Sequence, residues 1–202
     1  RNDRLYHASK DEIKGLRKKI NIPEGKKAIL YAPTWRDSND GGKHYSIVPP
    51  IDWKKWEREL SDKYVLLLRT HPYTTEAMKV DFNDFLRDCT SYPDVNDLML
   101  VADILISDYS STILDYSILD RPIICFGYDY DEYARMRGFY YNLRTTLPSG
   151  VKETEDEVLE YIRTANYEEE CEKTRRFHLS HMEAGGDATK QCVEKLLDIQ
   201  ID

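Results

Sequence analysis

Four runs constrain what this chain can fold into: "KKAILYAPTW", "YVLLLRTHPY", "ILISD" and "PIICFGY". Each is apolar at consecutive positions instead of alternating polar and apolar, the pattern of a strand buried on both faces. Helical segments lie between them. Ser9 and Glu12 read as a capping box ahead of Ile13, Leu16 and Ile20, so a helix is expected over about 9–20. Trp53, Trp56 and Leu60 share one face of another, and "DVNDLMLVAD" and "SSTILDYSILD" supply two more. The alternation predicts an α/β protein with a parallel sheet flanked by helices.

The remaining segments are less regular. Residues 73–93 have no clean period and read as short helix and loop, and "RDSNDGGKHYSIVPPID" reads as a long polar loop of the kind that usually serves function. The last fifty residues read as two or three helices, clearest in "EDEVLEYIRTA" and "ATKQCVEKLLDI", with Asp187 as N-cap of the last. One domain is expected over 1–202, of which about 165–202 form a helical segment. The first residue is not Met, which points to a piece of something longer.

Composition narrows the function. A net charge of −8 argues against nucleic acid as the main partner, and the basic stretches "LRKKI" and "KTRR" read as solvated helix faces. Cys89, Cys125, Cys171 and Cys192 are scattered without a C-x-x-C pair, as expected of reduced thiols in a cytosolic protein. No run approaches eighteen apolar residues, and the N-terminus lacks a signal-peptide core, so neither a membrane span nor secretion is indicated.

Three strand ends are unusually polar: Pro33-Thr34-Trp35-Arg36, Arg69-Thr70-His71 and Ser107-Asp108-Tyr109-Ser110-Ser111. In open α/β sheets ligands bind outside the carboxyl ends of the strands, where helix-start N–H groups favour phosphate. Ser110, Ser111 and Thr112 can add hydroxyl donors there, and Asp115, four residues after Ser111, can accept from a ligand hydroxyl. Burial alone would not place Arg and His after consecutive apolar strands. Arg69 and His71 can stabilise a leaving diphosphate, Arg by charge and forked donors, His as imidazolium or general acid. Trp35 and Arg36 are candidates for contact with a base or an acceptor. His178 and His181 stand three apart, but with no third ligand a solvated helix face outweighs a metal site. Asp108 and Asp115 can hold Mg²⁺ with substrate phosphates, though helix-start donors make a metal unnecessary, and no cofactor is expected.

In this order, "ILYAPTWRD", "LLLRTHP", "DVNDLMLVADILISDYSSTILDYSILDRPIICF" and "YDYDEYARMRGFYY" resemble the C-terminal half of the CDP-glycerol glycerophosphotransferases of teichoic acid synthesis. The resemblance implies a Rossmann-like donor-binding domain, one half of a GT-B fold. By the same resemblance Pro33, Thr34, Arg69, Thr70, His71, Ser110, Ser111 and Asp115 would line a CDP-glycerol site, with the serines on the diphosphate and His71 one of two functional histidines. Arg1 would match a further donor contact. The implied reaction moves glycerol phosphate to a terminal hydroxyl of a lipid-linked teichoic acid or capsule polymer and releases CMP, at the cytoplasmic face of the membrane. Attachment there is expected through parts of a longer protein, since no strongly basic amphipathic helix is evident. The chain alone is expected to bind donor with little or no turnover. A CDP-ribitol transferase, a GT-B glycosyltransferase or epimerase using a sugar nucleotide, and a non-catalytic nucleotide- or protein-binding module remain as alternatives.

Overall fold

The computed structural model describes residues 2–34, 36, 48–183 and 185–201. The chain begins with helices α1 (Asp3–His7) and α2 (Lys10–Lys19), then alternates: β1 (Lys27–Tyr31), α3 (Trp53–Leu60), β2 (Tyr64–Leu68), α4 (Pro72–Met78), β3 (Leu86–Asp88) and α5 (Val95–Val101). It continues through β4 (Ile104–Ser107), α6 (Thr112–Ser117), β5 (Ile123–Phe126), α7 (Tyr130–Arg137), α8 (Leu143–Thr146) and β6 (Val151–Lys152). Three helices follow, α9 (Glu155–Thr164), α10 (Tyr167–His181) and α11 (Ala188–Leu197).

All strand pairs are parallel, in the order β3-β2-β1-β4-β5-β6. The sheet grows outward in both directions from a reversal between β1 and β4, the doubly wound arrangement. The apolar runs feed two cores. Ala28, Leu30, Val65, Leu67 and Leu105 face one layer, closed by Leu16 of α2, Leu98 of α5, Ile113 of α6 and Phe177 of α10. Ile29, Tyr31, Leu66, Leu68 and Ile106 face the other, closed by Trp56 of α3 and Val158 of α9. Trp56 is wholly buried, and truncating such a residue costs about 3–5 kcal/mol.

Four local expectations need correction. Within 73–93, β3 is an unforeseen edge strand: Asn83 Oδ1 accepts from the N–H groups of Phe85 and Leu86 at 2.8 and 2.9 Å, turning the chain onto β2. The two-residue β6 was likewise too short to give a periodic signal. Ser9 caps α2, but Glu12 turns its carboxylate to Arg4 instead of back to Ser9, and the complete capping box is at Thr154 and Glu157. Asp187 makes no side-chain cap; the first N–H groups of α11, from Ala188 and Thr189, donate to the distant carboxylate of Asp3 at 3.0 and 2.8 Å.

Candidate functional site

Register brings the polar strand ends together. Tyr31 lies level with Leu68 and Ile106, and Ser107 with Cys125, so Pro33–Thr34, Arg69–His71, Asp108–Ser111 and the chain after Phe126 all leave the sheet at one edge. The β1–β4 seam is tied there by Ala32 N–H to Ile106 O (2.9 Å) and by Ser107 Oγ donating to Ala32 O (2.7 Å).

Behind this edge lies a dry ionic cluster. Arg36 donates through Nε and Nη2 to both oxygens of Asp129 at 2.8 and 2.9 Å and through Nη1 to Thr34 O at 3.0 Å. Its Nη2 is also 2.9 Å from Asp108 Oδ2. Burial works against the guanidinium charge, but the hydrogen bonds to Asp129 and the charge of Asp108 outweigh it and hold its pKa above the ordinary value. The guanidinium also lies over the rings of Tyr109 and Tyr133, at 4.9 and 5.0 Å. Asp108 Oδ1 accepts from the N–H groups of Thr34 and Tyr109 at 2.7 and 2.6 Å, and Tyr109 OH donates to Asp129 Oδ1 at 2.9 Å. Burial first, and then the Asp129 charge, raises the Tyr109 phenol.

This corrects two expectations. Arg36 faces inward and braces the Pro33–Thr34 loop instead of reaching toward a base or an acceptor. Asp108 is 1% exposed and neutralised by Arg36, so it does not fit a Mg²⁺ site with Asp115. Among the described residues no group of three His, Cys, Asp or Glu is placed to hold a metal.

The other candidates are distributed as follows. Arg69 is half-buried, with Nη1 donating to the carbonyls of Cys89 (3.2 Å) and Tyr92. Thr70 is buried in a hydroxyl chain with Thr75 and Thr90. His71 is exposed at the N-cap of α4, and its carbonyl accepts from Thr74 and Thr75 N–H. Thr34 Oγ1 is buried and, among the described residues, has no hydrogen-bond partner. Ser110 Oγ accepts from Thr112 N–H at 3.1 Å and donates to Thr112 Oγ1, while Ser111 is the exposed N-cap residue of α6. Asp115 accepts from Asn2 on the side of α6 facing the N-terminal segment. Arg1, Trp35 and 37–47 of the polar loop lie outside the described residues.

His178 is neither a metal ligand nor on a solvated face: it is buried, with Nδ1 3.0 Å from Asp120 Oδ1 and Nε2 2.9 Å from Tyr6 OH. His181 packs on Phe177. "LRKKI" is also not wholly solvated, since Arg17 donates to the carbonyls of Val101 and Lys26 and to Asp103.

On the β5 side of Ser110 and Ser111 opens a cavity of about 340 Å³. Tyr109, Tyr133 and Phe139 form one wall, with Tyr109–Tyr133 ring centroids 4.2 Å apart and Tyr133 stacked on Phe139 at 5.5 Å. Gly127 permits this packing, because a Cβ there would lie 2.7 Å from Val151 Cγ1 and 3.0 Å from Tyr109 OH. The wall and Asp129 were missed as site residues. The signal available was the dense aromatic and acidic run after the fourth apolar strand, a polar strand end like the other three. Among the described residues no helix is long and apolar enough to cross a membrane.

A model of the family "CDP-Glycerol:Poly(glycerophosphate) glycerophosphotransferase" matches residues 1–195. The chain is similar to the teichoic acid glycerol-phosphate transferase of Staphylococcus aureus, at 37% identity over 169 residues, 81% of this chain and 43% of that protein. It is also similar to the teichoic acid poly(ribitol-phosphate) polymerase of Bacillus spizizenii, at 34% identity over 175 residues, 85% of this chain and 28% of that one. Its fold matches that of a variant of the wall teichoic acid polymerase TagF soaked with CDPG, with a TM-score of 0.76 and 32% identity, covering 98% of this chain and 50% of that chain. The chain thus spans half or less of the length of these relatives. With six parallel strands in doubly wound order and a match over residues 1–195, it belongs to the CDP-glycerol:poly(glycerophosphate) glycerophosphotransferase family.

Proposed function

We propose that this chain is the donor-binding domain of a transferase that moves glycerol phosphate from CDP-glycerol to the terminal hydroxyl of a lipid-linked teichoic acid or capsule polymer. The observation that carries this reading is the family match across residues 1–195 together with the register that gathers Thr34, Arg69–His71 and Ser110–Ser111 at one sheet edge. The acceptor oxygen attacks the phosphorus that bears glycerol. The bond from that phosphorus to the bridging oxygen breaks, CMP leaves with the electron pair, and the hydroxyl proton passes to a base.

In this proposal Ser110 and Ser111 hold the diphosphate, Asp115 accepts from a nucleoside hydroxyl, and His71 donates to the leaving phosphate as charge builds there. Arg69, anchored on the Cys89 and Tyr92 carbonyls, adds positive field at the end of β2. Half or more of each relative's length lies outside this chain, and we assign the base and the membrane-facing contacts to the rest of a longer GT-B protein acting at the inner face of the membrane.

Calorimetric titration with CDP-glycerol, CDP-ribitol, CMP and UDP-N-acetylglucosamine tests the reading. Cytidine ligands are expected to bind, more weakly by about tenfold or more in Ser110→Ala/Ser111→Ala, with no polymer formed by the chain alone. Preference for the UDP-sugar, or polymer made by this chain, would overturn it.

A further inference from the structure

We infer that the aromatic-walled cavity beside Ser110 and Ser111 is the polyol subsite of the donor, and that Tyr133, Phe139 and Thr146 set which polyol it takes. The inference rests on the donor-binding reading above and adds to it the place and the walls of the group that is transferred.

The argument is one of sidedness. In a doubly wound sheet the nucleotide lies at the reversal of strand order, here between β1 and β4. Ser110 and Ser111 follow β4 and stand at that reversal. Two directions lead away from them. Toward β1 and β2 lie Thr34, Arg69 and His71. Toward β5 lies the cavity, which takes Ser110, Ser111, Ile113 and Leu114 from the α6 region but not Asp115. A CDP-polyol is linear, with nucleoside and polyol at opposite ends of the diphosphate. A nucleoside placed at the β1–β4 reversal sends the other end into the cavity.

The cavity's chemistry fits that end. Its volume of about 340 Å³ is at the lower end of small-molecule sites, which are commonly apolar with a few polar groups to orient the ligand. Tyr133 and Phe139 present stacked rings against which the C–H face of a polyol can lie, and Ser111, Thr146 and His181, also in the lining, can exchange hydrogen bonds with its hydroxyls. Arg36 underlies Tyr133, with its charge held by Asp129 and Asp108, so the wall is backed by a rigid cluster instead of by solvent. The lining holds no Lys or Arg, and its one carboxylate, Asp108, is buried and paired with Arg36, in keeping with an uncharged occupant.

The test measures the binding of CDP-glycerol, CDP-ribitol and the methyl ester of CDP, which keeps the diester charge but lacks the polyol. The proteins are the wild-type chain, Thr146→Trp, which fills the cavity, and Phe139→Leu, which widens it. Thr146→Trp is expected to lower affinity for CDP-glycerol and CDP-ribitol by about tenfold or more, to that of the methyl ester, whose own affinity stays within about twofold. Phe139→Leu is expected to shift preference toward the longer ribitol by several-fold. Retained methyl-ester binding doubles as the control for folding. Equal weakening of all three ligands in both variants, with thermal unfolding unchanged, would place the nucleoside in the cavity and overturn the inference, as would CDP-polyol affinities that neither variant alters. Failure of the wild-type chain to bind even the methyl ester would instead count against the donor-binding reading itself.

Discussion

Two arginines, Arg36 and Arg4, gather carboxylates in different surroundings. Arg36 holds Asp129 and Asp108 with its side chain 7% exposed, and Arg4 holds Glu12, Asp94 and Asp97 with its side chain 37% exposed. Arg4 has more partners, but water reaches Arg4 itself, Glu12 and Asp94, and Asp97, the one buried partner, keeps Tyr92 and Lys19 beside it. Among the described residues Arg36 pairs with two, and removing it leaves both of these buried carboxylates without a cation there. Burial, and not the number of ion pairs, decides what each cluster contributes.

The sharpest way to break the comparison is to delete each arginine. Arg36→Ala is expected to destabilise the chain by about 3–5 kcal/mol, read from the urea midpoint, because buried charge is left unpaired. A loss under about 1 kcal/mol would mean that water reaches the cluster. Tyr109→Phe probes the same cluster more gently. It removes the 2.9 Å donation to Asp129 and is expected to cost about 1.5–3 kcal/mol, with the cavity wall otherwise kept. Arg4→Ala should cost less than about 1 kcal/mol and become smaller still in high salt.

The cluster around Arg4 carries its own acid signature. Burial works to raise the Asp97 pKa, but hydrogen bonds from Tyr92 and Arg4 and the charges of Arg4 and Lys19 prevail and lower it below the ordinary value. Its stabilising contribution is therefore complete above the unfolded carboxylate pKa, about 3.9, and lost as pH falls through the lower folded value. Urea midpoints compared at neutral pH and at about pH 3 should fall less in Arg4→Ala than in the wild-type chain. An unchanged acid loss would assign it to other carboxylates, with Asp3 of α1, which accepts from the first N–H groups of α11, the next candidate, since its pKa is lowered mainly by the Thr189 hydrogen bonds.

Legibility in the sequence followed the same division between local and distant causes. The helix from Lys10, the strands at 27–31 and 64–68 and the helix from Trp53 could be read because propensity, period and burial agree within a few residues. The edge strands β3 and β6 could not, being three and two residues held by register to a neighbour. Arg36 was readable as a polar residue after a strand but not as one turned inward, because Asp129 lies 93 positions away. His178 was misjudged for the same reason, since Tyr6 and Asp120 reach it from remote segments.

The sequence by itself determined the class of fold, the edge of the sheet where polar residues collect, and the family, because uninterrupted apolar strands and the motifs at their ends are local properties of the chain. Only the tertiary structure decided which of those polar residues face the crevice and which are consumed in holding it. That choice depends on pairings between distant residues and on exclusion of water. Those pairings turn Arg36 and Asp108 into a buried brace, leave Ser111 and His71 exposed, and open an aromatic cavity beside the serines.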